Sequence, residues 1–179
     1  MKKVMKNILA AFLVVGILVG CATTTAPKEE APKVTVDEIL AAVKEAYGEN
    51  YLPNMEIPAD FLEQEFGLTA DMYAEVKAEQ PMIGTHADRI VIVKAAEGKA
   101  DAVEAALNAA REKKVNDTLQ YPMNLAKINA SKVVRHGDIV TYVLLGAIND
   151  SEDVNEADAK AFAEAEIEKG VSAINNLFK

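Results

Sequence analysis

Four segments of the chain place apolar residues at helical spacing, and two of these segments come before residue 70. In residues 36–47 the apolar side chains recur three and four positions apart, and Gly48 follows as a stop. A second, short helix is predicted after Pro58, and Gly67 suits its left-handed end. Burial is expected for the apolar residues of these two helices, namely Ile39, Leu40, Val43, Phe61, Leu62 and Phe66.

The other two helical segments are longer. Residues 99–115 form an alanine-rich helix with one apolar stripe, and this helix could continue, bent near Pro122, to Ile128. The last helix runs to Phe178, and either Ser151 or Asn155 is expected to cap its first turn. The residues expected to be buried on these helices are Val103, Ala106, Leu107, Ala110, Ile167, Val171, Ile174 and Phe178.

Two strands are predicted between the helices. Residues 73–79 alternate polar and apolar side chains, which fits a strand that is wet on one face, although a helical period is also present. A strand is preferred because Pro81 and Gly84 follow directly. Residues 89–95 contain an unbroken β-branched run that is apolar on both faces, which is typical of a central strand.

A hairpin is predicted further along the chain. Residues 133–135, which begin with two valines, and the strand-like residues 138–145 flank His136 and Gly137. A two-residue link that ends in glycine indicates a tight turn, with Gly137 at positive φ.

Strand pairs and helices are therefore segregated along the chain. This order predicts an α+β fold, in which helices cover a small four-stranded sheet that is antiparallel or mixed. The folded region is expected to be a single domain over residues 36–179.

The first twenty residues follow a different pattern. Three lysines, Lys2, Lys3 and Lys6, precede the apolar stretch 8–19. This stretch is too short to cross a bilayer, because a spanning helix needs about 20 apolar residues. A basic start, a short apolar middle and a small residue before the cut are typical of an export signal. Residues 1–20 are therefore predicted to be a signal helix that is removed.

Leu18, Val19, Gly20 and Cys21 close the apolar stretch and resemble the lipobox of bacterial lipoproteins. In such proteins the cysteine sulfur receives a diacylglyceryl group, and cleavage leaves that cysteine as the first residue. Two acyl chains hold a protein firmly at a membrane, whereas one chain binds only marginally. The motif predicts lipidation at Cys21 and anchoring on the extracytoplasmic face of the cell membrane.

Cys21 is the only cysteine in the chain. A lipidated Cys21 leaves no thiol for a disulfide, a thiolate metal site or a catalytic cysteine. Residues 21–35 contain threonines, charged residues and two prolines, so they are predicted to be a flexible tether. At about 3.1 Å per residue in an extended chain, such a tether reaches about 40 Å.

The net charge is −9, and three of the positive charges lie in the first twenty residues, so the remainder carries −12. An acidic body is repelled by the phosphates of nucleic acids and by anionic lipid headgroups. We therefore expect no nucleic-acid partner, and the only membrane contact expected is the diacylglyceryl group on Cys21.

Few residues are candidates for catalysis or metal binding. Ser131 and Lys132 could form a serine–lysine pair, but neighbouring residues of a strand point to opposite faces. The two histidines, His86 and His136, could bind zinc with Asp88 only if the fold brought them together.

The acidic loop 149–153 lacks the spacing of an EF-hand, because Val154 occupies the position of the required glycine. Neither a glycine-rich phosphate loop nor a serine nucleophile elbow occurs in the chain. We therefore assign no catalytic residue, no metal site and no cofactor.

Three stretches of the chain resemble one known family: residues 87–94, Tyr121 with Pro122, and residues 136–143. They are similar to bacterial lipoproteins of domain-of-unknown-function family 4358, over roughly residues 38–147 and the lipobox. The resemblance implies an extracytoplasmic lipoprotein. It supplies no activity, and no catalytic residue can be carried over from it.

The preferred interpretation is a membrane-anchored lipoprotein that acts as a non-enzymatic envelope interaction module, with an envelope protein as its partner. One alternative is a lipoprotein that binds a small ligand or an ion, which would need an apolar cleft with convergent polar groups. The other is an enzyme acting on cell-envelope polymers, which would need two close acids or a histidine–acid pair with shifted pKa values.

Overall fold

The computed structural model describes residues 34–149, 151 and 153–179, which lie in one compact unit. The predicted signal peptide, the lipobox from Leu18 to Cys21 and most of the tether lie outside the described residues.

The fold is α+β, as predicted, and is built on one sheet. The sheet has five strands in the order β1-β2-β3-β5-β4, and every neighbouring pair is antiparallel. The strands are β1 (Met55–Glu56), β2 (Tyr73–Gln80), β3 (Arg89–Ala95), β4 (Lys132–His136) and β5 (Ile139–Leu144). The predicted number of strands, four, was one too few, because the short edge strand β1 was not predicted. Of the two predicted arrangements, antiparallel and mixed, the sheet has the antiparallel one.

Five α-helices cover the sheet: α1 (Val36–Tyr47), α2 (Ala59–Phe66), α3 (Ala100–Val115), α4 (Leu125–Ala130) and α5 (Glu156–Leu177). The side chain of Thr35 caps α1 and Glu38 completes the capping box. Asn155, one of the two expected residues, caps α5 by accepting a hydrogen bond from the Asp158 amide. Gly67 ends α2 in the left-handed conformation, as predicted.

The core consists of two apolar layers, one on each face of the sheet. Helices α2, α3 and α4 cover one face, and helices α1 and α5 cover the other. Strand β3 contributes Val91 and Val93 to the first layer and Ile90 and Ile92 to the second, and all four side chains are fully buried. The prediction of β3 as a central strand with two apolar faces is therefore confirmed.

Three local expectations were wrong. Phe61 is 50% exposed, whereas Leu62 and Phe66 are buried. The helix that begins near residue 99 ends at Val115, and α4 is a separate helix after a 3-10 turn over Pro122–Asn124. The hairpin turn lies at Gly137–Asp138, one residue later than expected, because His136 is still paired with Ile139.

Helix α5 approaches α1 closely at a glycine, Gly170. Tyr47 Oη accepts a hydrogen bond from the Gly170 amide and donates one to the Glu166 carbonyl oxygen. A Cβ atom at Gly170 would lie 2.8 Å from Tyr47 Oη and 3.2 Å from a methyl carbon of Val143. Glycine is therefore required at this helical position, although it costs helix propensity.

We expect Gly170→Ala to lower the free energy of unfolding, because the overpacking penalty of about 1–3 kcal/mol exceeds the gain in helix propensity of about 1 kcal/mol. Chemical denaturation measures the change. Ser172→Ala, at an exposed position of the same helix, is the matched control and should be neutral or slightly stabilising. The cost of Gly170→Ala should shrink in a Tyr47→Phe background, and an equal cost in both backgrounds would contradict the proposed clash.

Tyr142 lies in the buried centre of β5, and burial raises the pKa of its phenol to about 12. An unfolded tyrosine has a pKa of about 10. Between these two values the unfolded chain loses a proton that the folded chain keeps, so the stability falls as the pH rises.

We expect the free energy of unfolding to fall more steeply for the wild type than for Tyr142→Phe between pH 10 and 12, by about 1.4 kcal/mol per pH unit. Other buried tyrosines titrate in both proteins, so the difference between them isolates Tyr142. Denaturation curves at pH 9, 10, 11 and 12 measure it, and parallel pH profiles would show that Tyr142 does not titrate in this way.

Candidate functional site

Three loops meet at one end of the sheet, where β2 and β5 end and β3 and β4 begin. They are residues 81–88, residues 116–124 before α4, and residues 145–155 before α5. We call this region the loop end. It combines buried polar contacts, exposed apolar side chains and a cavity.

A buried ion pair between Lys127 and Asp88 stabilises the loop end. The Lys127 ammonium on α4 lies 2.8 Å from a carboxylate oxygen of Asp88, which immediately precedes β3. It also donates a 2.6 Å hydrogen bond to the carbonyl oxygen of Gly146. Both side chains of the pair are at most 2% exposed. One lysine therefore ties α4 to the start of β3 and to the end of β5.

Two further buried side chains hold the loops. Glu166 on α5 accepts a hydrogen bond from the Ala147 amide at 3.0 Å, and its other oxygen pairs with Lys169. Asn124 is 2% exposed and donates a 2.9 Å hydrogen bond to the Thr85 carbonyl oxygen. These contacts join loop 81–88 to the 3-10 turn and loop 145–155 to α5, so the loop end has a fixed polar frame.

Glycine is required at position 146, where the chain after β5 passes close to Glu166 on α5. Its φ is +115°, a value that other residues rarely adopt, and a Cβ atom there would lie 2.7 Å from the Glu166 Cβ. The close approach brings Glu166 within reach of the Ala147 amide.

Five large apolar side chains of loops 81–88 and 116–124, together with Leu125 at the start of α4, are exposed to solvent, and we call these six the apolar end surface. Their exposed fractions run from 42% for Leu125 to 89% for Leu119. The full set is Met82, Ile83, Leu119, Tyr121, Met123 and Leu125. Scattered exposed apolar residues are ordinary, but apolar residues concentrated on one part of a surface are typical of a contact site.

A cavity of about 220 Å³ opens beside the apolar end surface, and Met123 belongs to both. Its wall is mainly apolar and comes from the 3-10 turn, α4, loop 145–155 and α5. The lining residues include Met123, Ala126, Asn149, Val154 and Ala159.

The zinc hypothesis fails on geometry. His136 is the last residue of β4 and lies opposite Ile139, which pairs with Lys94 on β3. Asp88 precedes Lys94 by six residues, which is about 20 Å along a strand. The ring of His136 instead stacks on Phe178 at 4.1 Å and lies 2.9 Å from the Asn175 side-chain oxygen.

Ser131 and Lys132 do not form a catalytic pair. Ser131 is buried and donates a 2.6 Å hydrogen bond to the Ile128 carbonyl oxygen, whereas Lys132 is exposed and pairs with Glu168. The two side chains occupy different environments because Ser131 ends α4 and Lys132 begins β4, so the strand predicted for Ser131 was wrong.

Two carboxylates, Glu65 and Asp117, line a second cavity of about 200 Å³ together with Lys113 and Lys114. Glu65 lies 3.2 Å from the Lys114 ammonium. Hydrogen bonds from the Leu119 amide and the Gln120 side chain lower the pKa of Asp117. A general acid needs a raised pKa, so Asp117 does not suit the role of general acid in glycoside cleavage.

Within residues 34–149, 151 and 153–179, there is no group of three or more histidine, cysteine, aspartate or glutamate side chains that could hold a metal ion. Among the helices of the described part of the chain, none is both long enough and apolar enough to span a membrane.

The loop end was not predicted from the sequence. The sequence pattern marks Asp88 as a zinc ligand candidate and does not single out Lys127, Asn124 or Glu166. The available signal was weak: Lys127 interrupts the apolar run Leu125 to Ile128. A lysine in a short helix is far more often exposed.

The comparison with known proteins yields one family. The model of a domain of unknown function, DUF4358, matches residues 46–145. No curated protein and no solved structure matches the chain significantly. The matched residues include all of β2 to β5 and both members of the Asp88–Lys127 pair. Since this match covers more than half of the chain, the protein belongs to the DUF4358 family, as the resemblance in the sequence suggested.

Proposed function

We propose that the protein is a lipoprotein anchored at the extracytoplasmic face of the cell membrane through Cys21, and that its folded unit binds a partner protein without catalysing a reaction. The lipobox from Leu18 to Cys21 supports the anchor. The apolar end surface supports the binding role and is the single observation on which that role rests.

The course of α1 fits this arrangement. Asp37 at its start pairs with Lys77 on β2, and Lys44 near its end pairs with Glu79. Because β2 runs toward the loop end, α1 runs toward it as well. The described part of the chain therefore begins at the end of the sheet opposite the apolar end surface.

Binding of a small ligand is the second candidate, and the cavity beside Met123 favours it. Pockets for drug-sized ligands measure about 300–1,000 Å³. At about 220 Å³ the cavity is below that range. Contact with a macromolecule therefore suits the loop end better than enclosure of a whole small molecule.

Photocrosslinking in intact cells tests the binding role. A photoreactive amino acid replaces Ile83 or Leu119 on the apolar end surface, and Ala109, an exposed residue of α3, is the matched control position. We expect the same protein adduct from both surface positions and none from Ala109. Adducts of equal yield at all three positions, or none at any, would contradict the proposed binding surface.

A further inference from the structure

The cavity beside Met123 has the size of a side-chain pocket. An apolar cavity of about 150 Å³ is large enough to hold benzene. The present cavity, at about 220 Å³, therefore has room for one large apolar side chain, such as phenylalanine or leucine. Such a pocket at the edge of an exposed apolar surface is the usual setting of an interface hot spot.

The described part of the loop beside the cavity is acidic. In segment 149–158 the described residues Asp153, Glu156 and Asp158 are acidic and exposed, and none of the described residues there is lysine or arginine. Val154 and Asn149 from this segment line the cavity, and Ser151 and Asp153 between them are exposed. The loop therefore places negative charge beside the pocket.

Three lysines in the cavity wall or on α5 each have a carboxylate partner outside the loop 149–155. Lys127 is buried against Asp88, and Lys169 pairs with Glu166. Lys160 lies 3.8 Å from a carboxylate oxygen of Glu164. A basic partner would therefore meet negative charge on the described part of this loop, where Asp153 and Glu156 are exposed.

Given the proposed binding function, we infer that the cavity takes one apolar anchor side chain from a segment of a partner protein, and that lysine or arginine residues flanking the anchor face the acidic loop 149–158. Apolar contact in the pocket supplies affinity. Charge complementarity at the rim supplies specificity and faster association. An anionic membrane is the less suitable occupant, because the acidic rim would be repelled by its headgroups.

Two kinds of variant test this inference in the full chain in intact cells, with a photoreactive amino acid at Met123. Ala126→Phe fills the cavity, and Ala159→Phe does so from α5 in case the first variant does not fold. The charge-reversal variant, Ser151→Lys with Asp153→Lys, reverses the charge at residue 153 and changes the net charge of segment 149–158 from −5 to −2. The matched controls are Ala109→Phe and Glu112→Lys, both at exposed positions of α3.

Loss of an anchor contact should lower the yield of the Met123 adduct at least about tenfold in a cavity-filling variant. Charge reversal should lower it severalfold, with a larger effect at low ionic strength. The controls should leave it unchanged. Mass spectrometry should find the crosslinked peptide to be basic, with a leucine, isoleucine, phenylalanine or methionine at its centre.

The inference is overturned if the crosslinked peptide is acidic, if the adduct is a lipid, or if neither cavity filling nor charge reversal alters the yield. Failure of this inference is distinguishable from failure of the proposed function. Adducts at Ile83 and Leu119 that resist both kinds of variant would keep the binding role and remove the pocket and rim from it.

Discussion

Replacing Lys127 by methionine is expected to lower the free energy of unfolding by about 3–5 kcal/mol, because it leaves the Asp88 carboxylate buried without a counter-charge. The side chain of Asp88 is fully buried and cannot turn to solvent. The Gly146 carbonyl oxygen loses the donor at 2.6 Å as well. A loss of this size is a large share of the total stability of a typical domain, about 5–15 kcal/mol. Chemical denaturation measures it.

Lys132→Met is the matched control. Its ammonium also pairs with a carboxylate, that of Glu168, but both side chains are about half exposed. An exposed ion pair contributes at most about 1 kcal/mol. If Lys127→Met lowered the free energy of unfolding no more than Lys132→Met does, the Asp88–Lys127 pair would not be the contact that stabilises the loop end.

A double variant separates the buried charge from the packing around it. In Asp88→Leu with Lys127→Met both charged groups are replaced by apolar side chains of similar size. We expect the double variant to be more stable than Lys127→Met alone, because no charge remains buried and unpaired. If the double variant is less stable than Lys127→Met, the loss of stability in the single variant results from altered packing rather than from an unpaired buried charge.

The second large effect concerns the anchor. We expect Cys21→Ser to abolish incorporation of labelled fatty acid and to stop cleavage before residue 21, because only a thiol can form the thioether. Attachment through two acyl chains should be lost with it. Metabolic labelling and electrophoretic mobility of the protein measure both steps.

Thr24→Ser is the matched control for the anchor. It changes one residue of the predicted tether and leaves the lipobox intact. We expect it to be labelled and processed like the wild type. Fatty-acid labelling that persists in Cys21→Ser would show that another residue carries the lipid.

Much of the fold could be predicted because the core segments have unambiguous patterns. The run Ile90 to Val93 has apolar side chains on both faces and can only be buried in the middle of a sheet. Strand β1 was missed because it has only two residues, between Pro53 and Pro58, and so short a strand shows no alternation of apolar and polar side chains. The burial predicted for Phe61 was wrong. Leu62 and Phe66 are four positions apart and lie on one face of α2, and Phe61 does not lie on that face.

The candidate site was harder to predict because its parts are distant in sequence. Asp88 and Lys127 are 39 positions apart, and their contact depends on where α4 lies. Glu166 meets the Ala147 amide only because Gly146 permits a close approach to α5. Exposure of the apolar end surface depends on loop conformation, which hydrophobic spacing does not report. Segment patterns can therefore predict the elements here, but not which polar groups meet between them.

The proposed partner contact presupposes that the folded unit is held at the membrane by Cys21. The most direct test is the mass of the N-terminal peptide of the wild-type protein extracted from cell membranes. The expected peptide begins at Cys21 and carries the added mass of a diacylglyceryl group. A peptide that begins at Met1, with an unmodified Cys21, would contradict the anchor and with it the proposed place of action.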